Sequence, residues 1–295
     1  SRLENRFLQV EIGADGTIAR LLHKPTGRDA LAGRGNQLWL YPADKPRSWD
    51  AWDVEADYNR QGFELTGLEE SELVEDGPDR AALRLVRRWR DSTITQTLTL
   101  WANAPRLDIH TRLDWHDRRV LLRALVPVAV RAETASFECA FGVVRRPTHR
   151  NTSWDQAKFE VPGHRFADLS EPGFGVALLN DGKYGHSALG NVLGLSLLRA
   201  PIYPDPLADE GVQEFTYAIL PHAGDWHEGG VREAAEDLNQ PLLALPARNL
   251  AAGLHTPLMV SGIKAGLAAL KPAEEGGGLV LRLYDSPVGV ATRAA

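Results

Sequence analysis

Alternation of polar and apolar side chains at every second position is the feature that most constrains the fold of this chain. It recurs in three runs, at residues 6–12, 93–101 and 107–115. Successive side chains of an extended strand point to opposite faces, so each run presents one apolar face and one polar face. Such runs are typical of antiparallel sheets that bury one face. The sequence therefore predicts a fold dominated by half-buried strands.

Short turn signals separate these runs. They are Asp15-Gly16, Asp76-Gly77, Asn103-Ala104-Pro105 and Asn180-Asp181-Gly182. Asp, Asn, Gly and Pro favour the backbone angles of turns. Many strands with short turns predict an all-β fold, a large two-sheet antiparallel supersandwich. One short helix is predicted from Gly230 to Asn239, where apolar residues recur at i, i+3, i+4 and i+7.

The chain divides into a long and a short part. We predict that residues 1–242 form the large sandwich. Pro241, Pro246 and the Ala/Leu-rich stretch after them indicate a connector. Strand-like runs at 258–270 and 279–284 predict a small β tail, so residues 243–295 are expected to start a smaller sandwich, either incomplete or packed on the first.

Charge and cysteine content exclude several classes of protein. A net charge of −6 leaves no basic surface that could follow a phosphate backbone, so we expect no nucleic-acid partner. We also expect no membrane partner, because no apolar run is long enough to span a bilayer. We expect a cytoplasmic location, because the cysteine content fits a reducing compartment. Cys139 is the single cysteine, which excludes an intrachain disulfide, and we predict it to be a small core residue.

Four segments combine aromatic, carboxylate and amide side chains as sugar-binding loops do. An aromatic ring can cover the apolar face of a pyranose, while charged and amide groups bind its hydroxyls. The segments are residues 46–53, 146–156, 179–185 and 198–205. The same residue types also serve as core plugs, buried polar networks or turns. The sequence leaves both interpretations open.

Motifs for metal binding or nucleophilic catalysis are not found in this sequence. Its nine histidines form no His-x-Asp, His-x-His or His-Glu-x-x-His pattern, and there is no Gly-x-Ser-x-Gly. We therefore assign no metal ligand and no catalytic residue.

A long motif points to a known family. The run THRNTSWDQAKFE, residues 148–160, resembles a stretch in the C-terminal β region of glycoside hydrolase family 38 α-mannosidases, in the bacterial and vacuolar-type branch. The likeness continues, up to about residue 242, in Trp49-Asp50-Ala51-Trp52-Asp53, Asn180-Asp181-Gly182-Lys183-Tyr184-Gly185, Tyr203-Pro204-Asp205-Pro206 and His222-Ala223-Gly224-Asp225-Trp226.

The resemblance implies a galactose-mutarotase-like sandwich and a parent enzyme that hydrolyses terminal α-mannosides with retention. Such enzymes use two carboxyl groups about 5 Å apart, and in this family a zinc ion binds sugar hydroxyls. The resemblance assigns these groups to an N-terminal barrel that has no counterpart in this sequence. We therefore expect a non-catalytic region, inactive alone and without a cofactor, whose partner is its own zinc-containing barrel.

The resemblance also suggests site residues. By position, Arg199 resembles an arginine that the family places near the substrate. We predict that other residues form a rim that contacts a mannoside or oligosaccharide or docks the barrel. They are Trp49, Asp50, Asp53, His149, Asn151, Asp155, Asp181, Lys183 and Tyr184. The docking face should be exposed as an apolar patch that favours self-association.

Two other functions remain open at this point. The chain could be an independent carbohydrate-binding module, because the same aromatic and charged segments would serve one. It could also be a sugar mutarotase or epimerase, which needs an acid and a base at the anomeric centre. His149 with Asp155, or His110 with Asp114, could nominally fill those roles.

Overall fold

Strands make up most of the chain. The computed structural model describes residues 1–42, 46, 48–242 and 265–285. The strands are β1 (Arg2–Glu4), β2 (Leu8–Ile12), β3 (Ile18–His23), β4 (Arg28–Asp29), β5 (Gln37–Tyr41), β6 (Phe63–Glu64), β7 (Glu70–Asp76), β8 (Arg80–Trp89), β9 (Ser92–Trp101), β10 (Leu107–Trp115), β11 (Leu121–Pro127), β12 (Thr134–Cys139), β13 (Gly142–Pro147), β14 (Val161–Pro162), β15 (Phe166–Glu171), β16 (Phe174–Asn180), β17 (Gly185–Leu189), β18 (Val192–Leu198), β19 (Gly211–Ala223), β20 (Ala265–Pro272) and β21 (Leu279–Asp285). The helices are α1 (Ser153–Gln156), α2 (Val231–Asn239) and a 3-10 helix (Tyr58–Gln61).

A nine-stranded antiparallel sheet forms one layer of the sandwich. Its order is β13-β12-β15-β16-β19-β10-β9-β8-β7. In β9, residues Ile94, Gln96 and Leu98 are buried while the intervening threonines are only partly buried, as the period of two predicts. Within the described residues the sheet ends at β7, a strand of sequence ESELVED whose side chains are almost all exposed.

Two smaller sheets form the opposite layer. A six-stranded sheet has the order β14-β17-β18-β11-β5-β6, and a four-stranded sheet has the order β1-β2-β3-β4. Isolated bridges between Ile18 and Gly35 and between Leu31 and Val128 join the two. Strands β2 and β3 form the hairpin expected at Asp15-Gly16, where Gly16 has φ 73°. A positive φ at this position suits glycine because it has no Cβ.

The apolar faces of both layers meet in one core. Leu98 and Ile109 of the nine-stranded sheet belong to the same buried cluster as Leu38 and Leu195 of the six-stranded sheet and Val10 of the four-stranded sheet. The burial of apolar side chains from both faces drives the association of the layers. The predicted all-β, two-sheet antiparallel fold is therefore confirmed.

Helix α2 covers part of the outer face of the nine-stranded sheet. Its Val231 and Ala235 pack with Trp226 and with Leu220 of β19. It begins one residue after the predicted start, because Gly230 is the N-cap residue. The sequence did not predict the single-turn helix α1 or the 3-10 helix. None of the helices in the described ranges is long and apolar enough to span a membrane.

The prediction for Cys139 is wrong, since this residue is only partly buried at the end of β12. The chain turns directly after it, and Phe141 in that turn is 62% exposed.

The predicted β tail is a hairpin, β20–β21. Its second strand matches the run predicted at 279–284, and its first strand matches the C-terminal half of the run predicted at 258–270. Residues 258–264 and the predicted connector at 243–257 lie outside the described residues. The ring of Tyr284 lies 5.4 Å from that of Phe141, and its hydroxyl donates to Glu236 Oε1 of α2 at 3.1 Å. The hairpin thus contacts the large sandwich, and the domain boundary at 242 stays a prediction.

Candidate functional site

Three exposed aromatic rings form a cluster at one end of the sandwich. Trp49 and Trp52 lie 5.9 Å apart, and Tyr203 lies 5.3 Å from Trp49 and 6.5 Å from Trp52. These are ordinary distances for edge-on aromatic pairs. Each ring is about half exposed or more, which makes this aromatic cluster a surface feature rather than a core plug.

Asp50 connects the two loops that carry the cluster. Its side chain is 2% exposed and accepts hydrogen bonds from the backbone N–H groups of Ile202 (3.0 Å) and Tyr203 (3.1 Å). Arg119 Nε donates to the same carboxylate at 3.3 Å. These contacts fix the loop of Tyr203 against the turn that holds Trp49 and Trp52.

The environment of Asp50 favours its ionised form. Burial by itself would raise its pKa, but the N–H of Ile202, the Arg119 guanidinium and the N–H of Tyr203 together lower it. The preceding residue, Trp49, has φ 62°, a backbone region that costs a bulky residue of order 1–3 kcal/mol. The hydrogen bonds of Asp50 help to hold this conformation.

A groove of about 420 Å³ lies beside the aromatic cluster. Three of the predicted site residues line it, namely Asp53, Tyr184 and Arg199. The other lining residues are Ala51, Trp52, Val54, Leu121, Glu160, Val161, Pro162, Gly185 and Ser196. Arg199 Nη2 donates to the backbone carbonyl of Asp53 at 3.3 Å, which ties the end of β18 to the turn after Trp52. The groove therefore combines aromatic rings, an arginine and carboxylates.

A buried ion pair lies below this groove, on the outer face of the six-stranded sheet. The Arg123 guanidinium is 2.7 Å from Glu160 Oε1, and its Nη1 donates to the Tyr58 hydroxyl at 2.5 Å. Arg123 is 2% exposed. Burial raises the pKa of Glu160, and the positive charge of Arg123 opposes this. Tyr58 itself packs with Tyr41 and Leu121 in a small apolar cluster beside the pair.

Arg123, Glu160 and Tyr58 were not predicted as site residues from the sequence. A signal was present for Arg123, because it interrupts the apolar run Val120-Leu121-Leu122-Arg123-Ala124-Leu125-Val126. A charged residue inside such a run needs a buried partner. Nothing local identifies Glu160 as that partner.

Three predicted residues lie in a loop that does not line the groove. The Asp155 carboxylate caps α1 through Thr152 and lies 3.7 Å from His149 Nδ1. The hydrogen bonds with Thr152 lower the pKa of Asp155. The backbone N–H of Asn151 donates to His149 Nδ1 at 3.4 Å. The side chains of His149 and Asp155 and the backbone of Asn151 therefore contact one another within the loop that leads to Glu160.

Asp181 and Lys183 lie in the turn before Tyr184. Asp181 Oδ2 accepts from the backbone N–H of Thr216 at 2.8 Å. Asn180 Oδ1 caps the turn through the N–H groups of Gly182 and Lys183. Lys183 Nζ lies 4.2 Å above the Phe215 ring, and its pKa is lowered by desolvation. The structure therefore gives both residues local contacts and places neither in the groove lining.

The residues that the structure describes contain no group of three or more His, Cys, Asp and Glu side chains that could hold a metal ion. They do not fit the zinc ion that the resemblance implies for the barrel.

Comparisons with known sequences give a consistent result. The family described as "Glycosyl hydrolases family 38 C-terminal domain" matches residues 3–207. Alpha-mannosidase 2C1 of Homo sapiens is 42% identical over 293 residues, covering 96% of this chain and 28% of that protein. Alpha-mannosidase G of Dictyostelium discoideum is 36% identical, covering 98% of this chain and 28% of that protein. The chain thus spans between a quarter and a third of the length of these curated relatives.

A comparison with solved structures supports the same fold. An alpha-mannosidase from Enterococcus faecalis V583 superimposes with a TM-score of 0.81 and 19% sequence identity, covering 97% of this chain and 36% of that chain. At this identity the likeness concerns the fold alone.

Proposed function

The chain belongs to the C-terminal domain of the glycosyl hydrolases of family 38, and on that premise we propose that it is the non-catalytic region of a retaining α-mannosidase. Its curated relatives are named α-mannosidases. The parent protein would hydrolyse terminal α-mannosides with catalytic residues outside this chain. The groove, with Trp52 in its lining, would supply contacts to the sugar, and Trp49 and Tyr203 of the aromatic cluster would dock the catalytic barrel.

The groove is the observation that carries this proposal. Trp52 and Tyr184 offer ring faces to the C–H surface of a pyranose, and Arg199 and Glu160 offer a donor and an acceptor for hydroxyls. Its volume suits one or two sugar rings within the range usual for ligand sites. The exposure of Trp49 and Tyr203, which do not line the groove, supports the docking role, because exposed large apolar rings that cluster together usually mark an interface.

Steady-state kinetics of the full-length parent on an aryl α-mannoside tests the proposal. Trp52→Ala and Arg199→Ala should each lower kcat/KM by at least about tenfold, the equivalent of one good contact of ~1.4 kcal/mol. Trp101→Ala is the matched control, because Trp101 lies on the nine-stranded sheet and stacks with Arg80 rather than lining the groove. Unchanged kinetics in both groove variants, or turnover by the isolated 295-residue chain, would refute the proposal.

An independent carbohydrate-binding module is the second candidate. The observation in its favour is that Trp52, Tyr184, Arg199 and Glu160 already line one groove in this chain. Calorimetry of the isolated chain with mannose and α-mannobiose separates the two functions. We expect at most millimolar affinity, about −4 kcal/mol, for a groove completed by another domain. Micromolar binding that Trp52→Ala abolishes would favour the independent module.

A further inference from the structure

The ion pair of Arg123 and Glu160 is costly to bury. Removing both charges from water is offset only when geometry and additional hydrogen bonds are good, so such pairs seldom add stability. Arg123 does have these extra contacts, because its Nη2 donates to Ser187 Oγ at 2.9 Å as well as its Nη1 to Tyr58. A buried, well-bonded charge pair at the floor of a cleft is a typical arrangement for a functional carboxylate.

The two oxygens of Glu160 have different environments. Oε1 accepts from the Tyr58 hydroxyl at 2.7 Å and lies 2.7 Å from the Arg123 guanidinium. Among the described residues, the donor for Oε2 is Ser196 Oγ at 3.4 Å, which is longer than an ordinary O–H···O hydrogen bond. A carboxylate can accept about four hydrogen bonds, so Oε2 retains acceptor capacity.

Glu160 is one of the residues that line the groove. Its side chain is 14% exposed, and Leu121 and Ser196 line the same groove. Phe159, the preceding residue, packs with Tyr58 and holds the backbone in place. The contacts of Oε1 therefore hold the carboxylate in position beside the groove, and Oε2 is the oxygen with acceptor capacity left for an occupant.

We propose that Glu160 determines the specificity of the groove, with Oε2 accepting a hydrogen bond from one hydroxyl of the bound mannoside. Arg123 and Tyr58 are positioning residues that hold Oε1 and do not contact the sugar. This inference rests on the proposed function of the groove. A fixed buried acceptor discriminates strongly against a ligand that lacks the matching hydroxyl, because the carboxylate then loses a partner in a desolvated site.

The test compares substrates that differ by one hydroxyl. The full-length parent, as wild type, Glu160→Gln and Glu160→Asp, is assayed on an aryl α-mannoside and on its 2-, 3-, 4- and 6-deoxy analogues. For the wild type, kcat/KM on one of the four deoxy analogues should be at least about tenfold lower than on the parent mannoside, or ~1.4 kcal/mol, because Glu160 loses the hydroxyl that it binds. In Glu160→Gln that loss should shrink at least threefold, while the losses for the other three analogues stay as in the wild type.

Glu160→Asp is the second variant, which keeps the test decisive if Glu160→Gln does not fold. It keeps the negative charge next to Arg123 but withdraws the carboxylate, so it should shrink the same single-analogue loss with a smaller change in thermal midpoint. If Glu160→Gln does not fold, the result of Glu160→Asp decides.

The outcomes also separate this inference from the proposed function. If Trp52→Ala and Arg199→Ala impair mannoside hydrolysis while both Glu160 variants leave all four analogue ratios unchanged, Glu160 is structural and only this inference fails. If none of these variants changes the kinetics on the parent mannoside, the groove does not contact the sugar and both proposals fail. A uniform fall in kcat for all five substrates would likewise contradict a specificity role.

Discussion

Replacing Asp50 by Asn should release the loop of Tyr203 from the aromatic cluster. The carboxylate is 2% exposed and accepts two backbone N–H groups and Arg119 Nε. An amide has only one oxygen, and its NH₂ group would face a donor. At least one charge-assisted hydrogen bond is lost, which costs about 2–3 kcal/mol in a buried site. The loss should be local, because the affected amides belong to one loop.

Hydrogen exchange of single amides measures this effect directly. In Asp50→Asn the amides of Ile202 and Tyr203 should exchange roughly 30- to 150-fold faster, which corresponds to the same 2–3 kcal/mol. The amides of Arg199 and Ala200 are internal controls, because they donate to Asp209 Oδ2 instead. Asp53→Asn is the matched variant, since the Asp53 carboxylate bonds only the neighbouring N–H of Val54 among the described contacts.

The contribution of Asp50 should also depend on pH in a definite direction. The pKa of this carboxyl is lower in the folded chain than its ordinary value of about 3.9. The stabilisation is therefore complete above that value and is lost as the pH falls through the lower, folded-state pKa. Protection of Ile202 and Tyr203 should persist down to about pH 4 and fall only below it. Equal protection in wild type and Asp50→Asn at neutral pH, or loss of protection near pH 6, would refute the reasoning.

Two further outcomes follow from steric space and from the exposed rings. In Gly62→Ala the new Cβ would overlap the Tyr41 ring, so the free energy of unfolding should fall by about 1–3 kcal/mol. Gly67→Ala is the control, because the space around Gly67 is open and the free energy of unfolding should change by less than ~0.5 kcal/mol. Chemical denaturation measures both variants, and equal unfolding midpoints would contradict the packing. The isolated chain should self-associate through the aromatic cluster, as measured by sedimentation velocity, and the double variant Trp49→Ala/Trp52→Ala should reduce the self-association. A chain that stays monomeric at high concentration, or self-association that the double variant leaves unchanged, would contradict this prediction.

Local patterns were sufficient to predict most of the fold. The alternation in residues 93–101 and 107–115 predicted β9 and β10, because a period of two is a property of the strand itself. The apolar spacing after Gly230 predicted α2 for the corresponding helical reason. The turn at residues 140–141 was not predicted, because Ala140 and Phe141 are not turn-forming residues such as Gly, Pro, Asn or Asp.

The site was harder to predict, because its groups meet through long-range contacts. Tyr58, Arg123 and Glu160 are far apart in the chain and are brought together only by the packing of two loops on the six-stranded sheet. Asp50 was selected for its position in a motif, but its role in joining two loops depends on Ile202 and Tyr203, about 150 residues away. Residue type suggested sugar-binding chemistry, and only the tertiary structure grouped Trp52, Tyr184 and Arg199 around one groove.

Strand β7 has a consequence for how this chain behaves at high concentration. A last strand offers unpaired backbone groups that a second molecule could extend into a continuous sheet. In this chain the edge strand β7 contains Glu70, Glu72, Glu75 and Asp76, and most of its side chains are exposed. Glu72 and Glu75 are ion-paired with Arg84 and Arg80 of β8. A second molecule that added a strand to this edge would therefore meet a row of charged and ion-paired side chains, which opposes sheet-to-sheet polymerisation.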